Sequence, residues 1–147
     1  IIGNQENSVH LTGCHGVVLS GNFIYSSEKW NLLIENSRQF QQFMQNVGSD
    51  YVGLNFDIGH FYCVNEDPAK LVYELADYVA HFHLADIASN RVHNHLIPGR
   101  GAIDFRPVFD AMDSIGYDGF VTVELYPYQD SPIEAAQEAY DHLCSII

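Results

Sequence analysis

Four residues in this sequence share both a chemistry and a position. Glu35 follows the apolar run Leu32-Leu33-Ile34. Asp57 follows Tyr51 to Phe56, His83 closes the run that begins at Tyr78, and Glu124 follows Phe120 to Val123. Each run reads as a strand with a metal-grade ligand at its C-terminal end. Parallel α/β folds gather their sites at the carboxyl ends of strands, so neighbouring strands would bring these four side chains together. Three carboxylates and one imidazole suit a single Mn²⁺, Mg²⁺, Co²⁺ or Zn²⁺. Taken singly, a strand-end acid is more often a helix cap or a surface charge, and a histidine in an apolar strand is more often a core residue. The recurrence carries the weight. His81 shares parity with His83, but the residue nearer the strand end is the better ligand. His60 and Asp86 are candidates for contacting a substrate or supporting a ligand, because a ligating imidazole needs a partner on its other nitrogen.

The elements that must position these residues follow from pattern. Asn36 or Ser37 caps a helix over Arg38 to Val47, with Phe40, Phe43, Met44 and Val47 on one face and Gly48 at its end. Asp67 and Pro68 open a second helix with Leu71, Val72 and Leu75 inward. A strand from about Tyr78 to Leu84 follows, then a polar loop over residues 85–104 holding Arg91, His93, His95 and the turn Pro98-Gly99-Arg100-Gly101. Asp104 caps a third helix bearing Val108, Phe109, Met112 and Ile115, and Gly116 ends it. After the strand Phe120 to Leu125, Ser131-Pro132-Ile133-Glu134 predicts a capping box and a last helix to about Ser145. The order is strand and helix in alternation, and the apolar strands predict a parallel sheet buried on both faces. The start of the chain is less legible. Val17-Val18-Leu19 and Phe23-Ile24-Tyr25 are β-prone, and His10, Cys14 and His15 match no zinc spacing.

Composition narrows the function classes. The 147 residues predict one domain, with a net charge of −13 and only six Lys and Arg. A duplex-binding surface needs clustered cations, so neither nucleic acid nor an anionic membrane is an expected partner. Arg91, Arg100 and Arg106 do lie close together, either as a local site for an anionic substrate group or as ordinary surface arginines. No apolar run reaches the roughly 18 residues of a membrane span, and no signal peptide is visible. Three scattered cysteines predict no disulfide framework, and the expected setting is the cytoplasm.

The stretches LLIEN, NFDIGH, HFHLAD, HLIPGRGAIDF and VTVELY, in this order, resemble the C-terminal half of the xylose isomerase-like TIM barrels. That superfamily includes sugar epimerases, hydroxypyruvate isomerase, inosose dehydratase and endonuclease IV. The resemblance covers about residues 30–147. It implies parallel βα units of a partial barrel, with Glu35, Asp57, His83 and Glu124 as ligands of one divalent metal ion. It also implies that Glu35 and Glu124 move the proton through an enediolate, and that His60 and Arg91 contact a small sugar or hydroxy-keto acid. Arg100 is a further candidate for a substrate carboxylate or phosphate. His95 matches a histidine that endonuclease IV uses as a metal ligand, and His93 stands where that enzyme has an aspartate. A metal-dependent sugar isomerase or epimerase is therefore expected. An endonuclease IV-like phosphodiesterase and a non-catalytic half-barrel module are the alternatives. A full barrel takes about 200–250 residues. The shorter chain, which starts at Ile1, is expected to be part of a longer protein, or else a half barrel that pairs with itself as a homo-oligomer.

Overall fold

The computed structural model describes residues 17–20, 36–49 and 51–147, with 17–20 as backbone only. Glu35 and the strand expected at Leu32 to Ile34 lie outside the described residues, as do His10, Cys14, His15 and the run Phe23-Ile24-Tyr25.

The described chain forms a parallel sheet with helices following its strands. Four strands, β1 (Val17–Ser20), β2 (Val52–Asp57), β3 (Val79–Leu84) and β4 (Val121–Val123), lie side by side in sequence order. Each neighbouring pair is parallel, which is the strand arrangement of a TIM-barrel segment. Helix α1 (Ser37–Val47) precedes β2; α2 (Ile58–Cys63) and α3 (Pro68–Glu74) link β2 to β3. Helix α4 (Arg106–Ser114) links β3 to β4, and α5 (Pro132–Ile146) closes the described chain. No helix among the described residues is long and apolar enough to cross a membrane.

Local chemistry accounts for the boundaries. The Asn36 side chain accepts from the Gln39 amide at 3.0 Å and starts α1. Gly48 ends it at φ 55°, a left-handed conformation that costs glycine little. Glu66 reaches back to the same helix and accepts from the Ser37 amide at 3.0 Å and its hydroxyl at 2.7 Å. Asp67 caps α3 with Pro68 in its first turn. Phe56 and Phe82 are fully buried with ring centroids 5.1 Å apart, under Leu71, Val72, Leu75, Val108 and Met112. Burying each such aromatic is worth about 1.5–3 kcal/mol, so this helix-covered face holds the sheet.

Several expectations are corrected. The strands are not apolar on both faces. Along β3, fully buried Phe82 and Leu84 alternate with half-buried His81 and His83, so among the described residues this strand meets the main hydrophobic core on its helix side. β4 is shorter than Phe120 to Leu125: Phe120 is 87% exposed, and a 3₁₀ turn starts at Tyr126. Ser131 precedes α5 without a side-chain capping bond, so the capping box does not form. The Asp104 carboxylate accepts from the Arg106 amide at 3.2 Å, but Phe105 occupies the cap position. The short helix α2 was unforeseen.

Candidate metal centre

The face of the sheet opposite the core is polar. Register aligns Asn55 with His81, Asp57 with His83, and His83 with Thr122. Alternation then puts Asn55, Asp57, His81, His83, Thr122 and Glu124 on one side. Three of them meet at the carboxyl ends. One ligand atom from each of Asp57, His83 and Glu124 lies within 4.8 Å of the other two. Glu35, the fourth residue of the expected set, falls outside the described residues.

Each member has a local reason for its place. Asp57 ends β2 and caps α2: its Oδ1 accepts from the His60 amide at 3.0 Å. Its Oδ2 stands 3.6 Å from His60 Nε2. Glu124 extends the β3–β4 ladder by one step, its amide donating to the Leu84 carbonyl at 2.9 Å. Its Oε2 lies 3.6 Å from His83 Nδ1 and 3.7 Å from His95 Nδ1. His81 turns away to Thr122 Oγ1 at 2.8 Å, one layer below the cluster.

A second cluster adjoins the first. His60, His93 and His95 also bring ligand atoms within 4.8 Å of one another. The His93 ring lies 3.9 Å from His60 and 4.1 Å from His95, centroid to centroid. Burial pushes the His60 imidazole down to about 3, helped by the imidazoles of His93, His95 and His83. Burial also lowers His93 and His95, in opposition to Glu124. Neutral imidazoles are what a cation requires of its ligands. Among the described residues, buried His95 Nδ1 and Asn55 Oδ1 have no hydrogen-bond partner. The donor set therefore fits a divalent ion.

The remaining candidates lie elsewhere. Arg91 packs its guanidinium 4.0 Å over the Tyr62 ring and donates to the Tyr62 carbonyl. Arg100 is held by both oxygens of Glu138 on α5, at 2.6 and 2.7 Å. Arg91 and Arg100 are thus each engaged by a different neighbour. Arg91 and His95 have φ of 61° and 45°, left-handed conformations that cost a non-glycine residue about 1–3 kcal/mol each. Asn55, Thr122 and Tyr126 were not foreseen at the site. Strand parity with Asp57 marks Asn55, and parity with Glu124 marks Thr122. Tyr126, whose ring lies 4.7 Å from His95, leaves no such pattern.

Comparison with known proteins agrees with this fold. The model of the family described as "Xylose isomerase-like TIM barrel" matches residues 22–146. The chain belongs to that family. It is similar to the inosose dehydratase of Lacticaseibacillus casei, 30% identical over 128 residues, covering 75% of this chain and 43% of the relative. The inosose dehydratase of Geobacillus thermodenitrificans is 28% identical with the same coverage. The chain thus spans less than half the length of these curated relatives. Among solved structures, a xylose isomerase domain protein of Alicyclobacillus acidocaldarius aligns with a TM-score of 0.68 at 22% identity, covering 90% of this chain and 50% of its own. The IolI protein with a bound zinc atom aligns at 0.62 and 24% identity, covering 76% and 43%. At these identities the structures speak for the fold.

Proposed function

We propose that this chain carries the metal-binding part of an enzyme that moves a proton on a sugar or a related 2-hydroxycarbonyl compound. The observation that carries the reading is the meeting of Asp57, His83 and Glu124 at the ends of three adjacent parallel strands. These residues would hold one divalent ion, with Glu35 as the fourth ligand. Mn²⁺, Mg²⁺, Co²⁺ and Zn²⁺ all suit the donors, and the zinc atom of the IolI structure favours zinc. Bound there, the ion would supply Lewis-acid stabilisation of charge on a substrate oxygen.

The rest of the step belongs to side chains. Glu124 would take or return the carbon-bound proton, and Glu35 would serve the other side of the substrate. His60 and His95, next to Asp57 and Glu124, would contact substrate hydroxyls. Arg91 remains a candidate for an anionic substrate group on the resemblance alone. Arg100, engaged by Glu138, enters no step. An enediolate can isomerise, epimerise or lose water, and the inosose dehydratase relatives support the last outcome as readily as the other two.

The test is metal content by mass spectrometry, before and after incubation with Mn²⁺. The expected result is about one equivalent in the natural sequence and loss of it in Glu124→Gln, as a removed ligand requires. In the protein assayed on ketoses and inososes, Glu124→Gln should also lower turnover by about 10²–10⁴-fold. Near-normal turnover, or equal metal content in both proteins, would sink the assignment.

The three-histidine cluster favours one second reading, a phosphodiesterase that binds more than one metal ion. Two or more equivalents of zinc, together with cleavage of abasic-site DNA, would replace the first reading with this one.

A further inference from the structure

We propose that Asp86 is a positioning residue: it closes the neck of the loop that carries Arg91, His93 and His95, and thereby holds His95 against Glu124. The inference rests on the reading of His95 and Glu124 as parts of one site. Asp86 is 1% exposed, so no substrate reaches it. Its carboxylate accepts from four backbone amides. Oδ1 accepts from Ile87 at 2.8 Å and Ile103 at 3.1 Å. Oδ2 accepts from Gly99 at 2.9 Å and Gly101 at 2.8 Å.

The same residue pairs through its backbone with Leu96, its amide donating at 2.8 Å and its carbonyl accepting at 2.7 Å. Residues 87–95 therefore leave and return at one point. Leu96 directly follows His95, whose left-handed φ of 45° must be imposed from outside. The carboxylate supplies that constraint by gripping residues 99–103 just beyond. Gly101 fits because a Cβ there would collide with the Asp86 carboxyl group and the Ile87 carbonyl. One buried side chain thus ties the β3 end, the glycine turn and the histidine loop together.

The test is solution NMR on the metal-free protein at fixed pH, comparing the natural sequence with Asp86→Asn. The substitution keeps the shape but turns an NH₂ toward two amide N–H groups, so donors face donors. The readouts are nuclear Overhauser contacts between His95 and Tyr126 and between His60 and His93, whose rings lie 4.7 and 3.9 Å apart. The Phe56–Phe82 contact at 5.1 Å reports on the core. The proposal expects the two histidine contacts to be lost and the core contact to remain. Gly101→Ala, whose Cβ crowds both the Asp86 carboxylate and the Ile87 carbonyl without removing the charge, should give the same pattern. Histidine contacts intact in both variants would overturn the proposal. Loss of the core contact in both would also overturn it, because Asp86 would then hold the fold and not the site. No metal is added, so failure of the chain to bind metal counts against the proposed function alone.

Discussion

Burial beside the strand ends lowers the proton affinity of three imidazoles, His60, His93 and His95. His60 shows this most sharply, held near 3 by burial and by three other imidazoles. Its unfolded value is the ordinary 6.5. The unfolded chain therefore takes up the proton first as pH falls. The stabilisation is fully present above 6.5 and drains away as pH drops toward 3. Urea unfolding of the metal-free protein should show lower stability at pH 5 than at pH 7.5, and His60→Gln should flatten the difference. An unchanged slope in the variant would mean that His60 is not the group responsible. Asp57, His83 and Glu124 were legible because each ends an apolar run and the three strands are neighbours. Their proximity to a second set, His60, His93 and His95, was not legible. It depends on a loop whose path is set by Asp86 and two left-handed residues, and no periodic pattern encodes such a path.

At the scale of elements, capping chemistry was legible where the side chain had no competitor. Asn36, Asp67 and Gly48 act as their types suggest. Ser131 does not, although Ser131 and Glu134 have capping-box spacing, because the chain arrives from a 3₁₀ turn at φ −146° and ψ 55° without the side-chain bond. The contrast predicts two stabilities. Asn36→Ala should cost about 1 kcal/mol, the usual worth of a working cap. Ser131→Ala should stay within about 0.5 kcal/mol, as for a surface position with no special contact. Chemical denaturation of both variants separates the cases, and a loss at Ser131 equal to that at Asn36 would refute the account. The strand faces were misjudged for a related reason. Asn55, His81 and Thr122 sit inside apolar runs, and the helix-side residues Phe56 and Phe82 dominate the pattern. Alternation therefore reads as continuous hydrophobicity until the sheet shows a polar side.

For the molecule as a whole, charge is the governing quantity. With 19 Asp and Glu against six Lys and Arg, the compact state works against its own repulsion. Two of those acids, Asp57 and Glu124, are brought together at one cluster, where a cation would relieve the local part of the strain. Salt and metal should then act differently. Sodium chloride screens the whole surface, and the melting temperature of the metal-free protein should rise between about 10 and 150 mM, as the screening length shrinks from roughly 30 to 8 Å. A divalent ion at about a hundred times its Kd should add about 2.7 kcal/mol beyond that, because it binds the folded state alone. Glu124→Gln should keep the salt response and lose most of the metal response. Thermal scans of both proteins in sodium chloride, with and without Mn²⁺, make the comparison. If Mn²⁺ stabilises the two equally, its effect is general screening of an acidic chain and the strand-end cluster is not its site.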